Sequence, residues 1–528
     1  MDALPPGLDP RLADRARRAA AWVLERRGRG EPVLVVHHID ADGVTSGAIA
    51  ATALERAGVA YRTLAVKSMD QLHQDLVRIH QMPTVDSPDA DGGPSGGSVT
   101  QSGESALWFC DLGSTVYMQF PNAQRLVCDH HQLVRDGSED SFPHVNPLLD
   151  GLSGEELSGA GCAYLVAAAL DARNLDLLPL ALVGASADLQ DRKTGAFHGA
   201  NAALLAQGVA AGLLDARADL SFFGPETRPL RKFLALAEPA VPTATGSQRT
   251  AEAFLLSLGI PLQDDAGERT WSRLTSPEQR TVRSALVERL IATGLTGRVD
   301  RLWRTVVTVV REAPGPLREL QECGTLLNST ARYGRPEIGL AVARGDRGAA
   351  YTEALSLLLD HRKHLSGAMD AMAQRGVTEL TGVQHVHLQD TVLDTIVGIV
   401  CGMALDGLGL RRDLALVAFA WTPDGRTKVS SRSPHELQAR GIDLAAAMRE
   451  AAAAFDGQGG GHKGAAGATI PRGCEDAFIA VVDRLVAVQL GIRAVAAPAE
   501  KPAVATPLPA ATLPTRMRSQ GAQARLAL

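Results

Sequence analysis

The sequence predicts an α/β protein with an N-terminal parallel-sheet domain, a helical middle region and a smaller C-terminal α/β domain. Three observations carry this. Short apolar runs recur, each ending at an aspartate: Val33 to Val36 before Asp40, Ala106 to Cys110 before Asp111, Arg125 to Cys128 before Asp129, and Leu180 to Ala187 before Asp188. Runs of that length, bounded by turn residues and followed by helical sequence, read as buried strands of a parallel sheet. Residues 229–385 then show a mostly helical pattern, with polar breaks at 243–249 and 263–270. Strand and helix patterns alternate again beyond them.

The first 30 residues read as a helix containing Leu12, Ala13, Ala20, Trp22, Val23 and Leu24, stopped by Gly28 and Gly30. Its arginines read as a solvated face. The first domain spans 31–228. It opens with the strand from Val33, continues with a helix over 45–57 introduced by Thr45-Ser46, and has a second strand over 61–66. Residues 83–105, rich in Pro, Ser, Gly and Asp, read as a flexible surface loop. The middle region spans 229–385. The last domain, 386–493, reads as a helix at 391–405, strands at 414–420 and 427–432, and a helix at 442–455. A glycine loop at 457–467 follows, then a strand to Ile470 and a helix to about residue 490. The Ala/Pro-rich stretch 494–528 reads as a disordered tail.

A chain of 528 residues exceeds one compact core. A net charge of −6 argues against a nonspecific polycation, while a local basic groove stays hidden in the total. The six cysteines are scattered without a C-x-x-C pair, which suits buried free thiols in a reducing compartment. No signal peptide or membrane span is read, so the expected location is the cytoplasm.

In extended chain, residues two apart share a face, so His38, Asp40 and Asp42 can point together into the crevice at a strand's carboxyl end. The alternative is a solvated acidic loop. Further strand ends bring Asp111, Asp129, His130, His131 and Asp188. Carboxylates with imidazoles suit Mn²⁺ or Mg²⁺ better than structural zinc, which prefers thiolates. There are too many carboxylates for one ion with open positions, so two ions sharing a bridging aspartate is the economical reading. In the last domain, Gly459-Gly460-Gly461-His462 offers backbone N–H groups that can approach a phosphate closely; the alternative is a flexible turn. Asn328, Arg332 and Arg335 read as a capped helix end with exposed arginines rather than a polyanion channel.

As an ordered set, His38-x-Asp40-x-Asp42-Gly43, Asp111-Leu112-Gly113-Ser114, Asp129-His130-His131 and Ala187-Asp188 resemble the motifs of the DHH phosphoesterase superfamily. Gly459 to His462 resembles its associated DHHA1 domain. Flanking segments, among them Val183-Gly184-Ala185, Thr227-Arg228-Pro229-Leu230, Thr325 to Asn328 and Asp394 to Ile399, are most similar to archaeal RecJ-like exonucleases, a group that includes GINS-associated nucleases. The resemblance covers about residues 10–490. It implies two-metal coordination by Asp40, Asp42, Asp111, His130 and Asp188, with Asp111 bridging and His38 counted with them. His131 and His462 are the implied catalytic histidines, and Asp129 the residue that orients the histidines. Ser430, Arg432 and Gly459, Gly460, Gly461 and His462 are implied to hold substrate phosphates.

The expected activity is that of a two-metal, Mn²⁺- or Mg²⁺-dependent exonuclease on single-stranded DNA, with RNA as a further candidate. The 5′→3′ direction is favoured, and the setting is replication or repair. Two rivals stand beside it. One is the same chemistry on short oligonucleotides or cyclic dinucleotides. The other is a replisome component that binds a GINS-like partner with little activity. Relatives that lose ligands serve as scaffolds; here no ligand position is substituted.

Overall fold

The structure, a computed structural model, describes residues 3–67, 106–115, 124–134, 137 and 140–492. The expected loop at 83–105 and tail at 494–528 lie outside the described residues. The chain divides into two units, Met1–His364 and Leu365–Leu528.

The first unit is built on five parallel strands: β1 (Val33–His38), β2 (Tyr61–Val66), β3 (Ala106–Cys110), β4 (Arg125–Cys128) and β5 (His144–Val145). Their order is β2-β1-β3-β4-β5. Val33 to Val36 are buried, as is the whole of β3, so both faces of the central strands are covered. The chain leaves β1 for β2 on one side and returns to β3 on the other. The carboxyl ends of β1 and β3 therefore flank the point where the order reverses, which opens a crevice there.

Helix α1 (Pro10–Arg29) buries Leu12, Ala16, Trp22 and Val23, and also Arg26, which was expected on a solvated face. Helix α2 (Ala41–Ala57) begins four residues earlier than its expected start at 45. The Asp40 side chain accepts from Gly43 N (3.0 Å) and caps it. Asp42 thus lies in the first turn of a helix, not in extended chain as expected. Helix α3 (Gly159–Leu170) packs on α2. The run expected to be a fourth strand is instead helix α4 (Leu178–Ala187), buried from Leu178 to Ser186, and Asp188 is its C-cap.

Strand β6 (Leu214–Leu220) pairs antiparallel with β7 (Trp303–Val309). The residues between them close around their own core, which includes Phe222, Phe233, Phe254, Trp271 and Leu286. The middle region is therefore not helical throughout: β7 and the short hairpin Gln263–Asp264 with Gly267–Glu268 lie within it. Helices α5 (Leu320–Arg332) and α6 (Ala349–Arg375) follow.

The second unit holds a mixed sheet of β8 (Thr378–Glu379), β9 (Val383–Gln389), β10 (Ala415–Trp421), β11 (Arg426–Arg432), β12 (Gln458–His462) and β13 (Ala465–Pro471). The order is β8-β9-β10-β11-β13-β12, and only β9–β10 is parallel. Helix α7 (Val397–Gly407) covers one face, with Leu416 and Ala418 beneath it. Helices α8 (Leu444–Ala453) and α9 (Glu475–Gln489) cover the other, over Val417, Phe419 and Val429. The expected strand at 427–432 is β11, in the interior of the sheet. The glycine run expected as a loop is the edge strand β12.

Candidate metal centre and phosphate face

Three turns bring the acidic side chains together. After β1, His38 Nδ1 lies 2.9 Å from Asp40 Oδ2 and 3.6 Å from Asp111 Oδ2. After β4, His130 Nε2 lies 3.1 Å from Asp188 Oδ2, 3.4 Å from Asp111 Oδ1 and 3.8 Å from Asp42 Oδ2. The donor atoms form overlapping groups: His38, Asp40 and Asp111; Asp42, His130 and Asp188; Asp111, His130 and His131. Asp111 belongs to two of them and His130 to two, so the cluster is one elongated site with Asp111 between its ends.

Each member is held from behind. Asp42 accepts from the first backbone amides of α3, Gly159 N (2.7 Å) and Ala160 N (3.0 Å), where the helix end favours negative charge. Asp111 is 2% exposed and has φ +60°, a strained conformation for a residue with a Cβ. Glycines permit the close packing: a Cβ on Gly159 would lie 2.6 Å from Asp111 Cβ, and one on Gly184 would collide with Asp42 Oδ1. His130 Nδ1 lies 2.9 Å from Gly154 O, so it carries the proton and Nε2 turns to the carboxylates. Asp129 accepts from Ser114 N, His130 N, His131 N and His131 Nδ1 (2.8 Å), which fixes both histidines.

The electrostatics describe a site that wants positive charge. Burial first, and then Asp111 and Asp188, push the Asp42 carboxyl far above its ordinary range. Burial also raises Asp188. Burial opposes a charge on His38, but the Asp111 and Asp40 carboxylates beside it push it up to about 11, and the Asp111 and Asp188 carboxylates raise His130 in the same way. His38 Nδ1, His130 Nε2 and Asp111 Oδ1 are buried without a hydrogen-bond partner. Orphaned lone pairs of two imidazoles and a carboxylate converging on one volume fit a divalent cation bound through N and O atoms.

In the second unit, Ser430 and Arg432 lie on β11 on the face that α7 covers. A Cβ on Gly398 at the start of α7 would lie 3.2 Å from Arg432 Nη2 and 3.4 Å from Ser430 Oγ. Across the sheet, Arg432, Ala465 and His462 are in register, as are Ser430, Gly467 and Gly460. In-register neighbours share a face, so Arg432 and His462 flank a floor made of glycine and alanine. No atom lies within 4 Å of a Cβ built on Gly460. The structure thus groups Ser430, Arg432, Gly460 and His462. A Cβ on Gly459 would collide with the Met448 carbonyl, and Gly461 has φ +132°.

Residues 222–303 match the family model of the DHH-CID domain, and residues 385–488 that of the DHHA1 domain. RecJ of Thermus thermophilus in complex with Mn²⁺ has a similar fold, with TM-score 0.53 and 19% identity over 90% of this chain. The chain spans about half of that RecJ, 55% of its length. An exonuclease RecJ bound to manganese is similar over 89% of this chain and 94% of its own, with TM-score 0.51 and 18% identity. Two stretches of the chain thus carry domains of the DHH/DHHA1 kind. CDC45 of Entamoeba histolytica also shares the fold, with TM-score 0.61 and 10% identity over 89% of this chain and 99% of that one. An uncharacterized protein of Methanocaldococcus jannaschii is 21% identical over 87% of this chain and 94% of its own length.

Several residues that support the acidic cluster were given no such role from the sequence. Gln190 donates to Gly154 O (2.9 Å), beside His130, and accepts from Asn201 Nδ2 (2.6 Å). Asn328 on α5 accepts from Ala41 N (2.9 Å) beside Asp40, an inward role where an exposed helix end was expected. Asn146 donates to His131 O (3.0 Å) and Ser114 Oγ (2.9 Å). Of these, Asn328 was singled out in the sequence, within Thr325 to Asn328 and as part of a helix end.

Proposed function

We propose that the chain is a hydrolase using two Mn²⁺ or Mg²⁺ ions to remove nucleotides from an end of single-stranded nucleic acid. The observation that carries the reading is the convergence of His38, Asp40, Asp42, Asp111, His130 and Asp188, with orphaned buried donor atoms, on one volume at the switch point of a parallel sheet. His38, Asp40 and Asp111 would hold one ion and Asp42, His130 and Asp188 the other, with Asp111 shared between the two sets. Bound there, such ions would supply an activated water and positive charge at phosphorus. His131, steadied by Asp129, contacts the scissile phosphate. Ser430, Arg432, the glycine floor and His462 hold strand phosphates, with His462 adding a donor in the transition state. The likeness to an exonuclease RecJ bound to manganese supports the substrate class and the metal.

The likeness to CDC45 favours a second reading, a replisome component that binds a GINS-like partner. The intact ligand set favours hydrolysis. The test is incubation of 5′- and 3′-labelled single-stranded DNA and RNA, and of a cyclic dinucleotide, with the full chain and Mn²⁺. Mononucleotides released progressively from the 5′ end of DNA are expected. Cleavage of the cyclic dinucleotide alone overturns the strand reading, and cleavage of none overturns the hydrolase.

A further inference from the structure

A second polar cluster in the first unit is used by nothing described so far. Arg362 on α6 donates from Nη2 to Thr227 Oγ1 (2.9 Å). Thr227 donates to Glu322 on α5, and Glu322 also accepts from Glu226 N (2.7 Å). Both Glu322 oxygens are therefore occupied. Arg228 is half-buried, with its guanidinium 4.7 Å from the centre of the Phe223 ring. It donates from Nη1 to Phe223 O (3.3 Å), and Nε and Nη2 have no hydrogen-bond partner among the described residues. Gly224 (φ +93°) makes this placement possible: a Cβ there would lie 2.6 Å from Arg228 Cδ and push the stem aside.

His361, beside Arg362 on α6, is 4% exposed, and its Nδ1 has no hydrogen-bond partner. The Tyr333 ring meets it edge-on at 6.2 Å. The charged groups that bear on His361 are Arg332, His364 and Arg362, all basic. Those that bear on Arg228 are Arg362 and Glu322. Burial first, and then its basic neighbours, hold the His361 imidazole neutral, down to about 4, while Arg228 and Arg362 share one carboxylate, each of whose oxygens already accepts a hydrogen bond. Partly desolvated cations without enough counter-charge are costly unless a ligand supplies it. Two guanidinium groups, one stacked on an aromatic ring and one fixed by a hydroxyl, present the planar donors that suit a phosphate diester. The cluster adjoins the metal centre along α5: Glu322 lies about 9 Å of helix before Asn328, which accepts from Ala41 N (2.9 Å) beside Asp40.

We propose that Arg228 and Arg362 form an anion subsite that holds a backbone phosphate of single-stranded nucleic acid beside the metal centre. This rests on the strand-cleaving reading for its ligand class, but it is tested without cleavage. The full chain in EDTA is titrated with a labelled oligothymidylate at several salt concentrations, alongside Arg228→Ala, Arg362→Ala and the conservative Arg228→Lys and Arg362→Lys. Calorimetry with Mn²⁺ reports separately whether each variant keeps its metal centre. Each alanine variant should bind the strand about tenfold more weakly, the loss of one charge-assisted contact. The salt slope should fall by roughly 0.7 per lost phosphate contact. The lysine variants should recover part of the affinity, and Mn²⁺ affinity should hold throughout. Wild-type strand affinity and salt slope in both alanine variants overturn the subsite. So does a loss of Mn²⁺ binding in parallel with strand binding, since the arginines then serve the fold. Arginine-dependent strand binding by a chain that cleaves no strand with Mn²⁺ leaves the subsite standing and removes the exonuclease reading.

Discussion

Asp111 shows how much one position can carry: it ends β3, adopts φ +60°, is buried, and lies between the two groups of ligands. Its place was legible because an aspartate directly after a buried apolar strand points to the crevice. The same pattern exposed Asp40 and His130. Gln190, Gly154 and Asn328 were not legible, because an ordinary polar residue becomes a support only when another segment folds against it. Gln190→Ala should weaken Mn²⁺ binding by up to about tenfold without unfolding the chain, because the Gly154 carbonyl that orients His130 loses the donor that fixes it; calorimetry reads this directly. Glu322 supplies a prediction about pH. Burial outweighs its hydrogen bonds from Thr227 and Glu226 N and pushes the carboxyl up from 4.5 to about 7. Between those values the folded chain holds a proton that the unfolded chain has released. Stability from this group is therefore greatest below about 4.5, falls as pH rises to about 7, and is level above. Urea melts at about pH 5 and about pH 8 should show this fall, up to about 3 kcal/mol, in wild type and not in Glu322→Gln.

At the scale of elements, strands β1 to β4 were read correctly because short β-branched and apolar runs between turns leave few alternatives. Helix α4 was misread as a strand. It is buried on every side, so its apolar run shows no helical period, and such a run cannot be told from a buried strand by pattern. Helix α2 was started late because Thr45-Ser46 resembles a cap, whereas Asp40 makes the capping bond and Thr45 bonds back to Ala41 O (2.8 Å) inside the helix. The glycine run was read as a loop because glycine disfavours strands; here β12 needs it, since Gly459 and Gly461 press against neighbouring backbone. The junction of α2, α3 and α4 yields a further prediction. In Gly184→Ala the new Cβ meets Asp42 Oδ1, Ala160 Cβ and Thr45 Oγ1. Overpacking there should cost about 1–3 kcal/mol in denaturant melts and should also weaken Mn²⁺ binding, because Asp42 must move. An unchanged melt and metal affinity would mean that this packing does not position the carboxylate.

For the whole molecule, the order of the parts was readable and the long-range pairing was not. Strand β7 completes a sheet with β6 across residues 221–302, and no local pattern in Trp303–Val309 announces a partner so distant. No helix among the described residues is long and apolar enough to cross a membrane. A net charge of −6 gave no hint of the basic cluster at Arg228 and Arg362, because 53 Lys and Arg are offset by 59 Asp and Glu in the total. What unites the chain is the claim that its buried cluster of carboxylates and imidazoles hydrolyses a strand's phosphodiester bonds. The most direct test compares turnover of an end-labelled single strand with Mn²⁺ by the full chain and by a folded Asp111→Asn variant. The account predicts nucleotide release by wild type, its loss in EDTA, and a fall of at least about 100-fold in the variant, where the shared charge-bearing ligand is gone. Wild-type turnover by folded Asp111→Asn would contradict it.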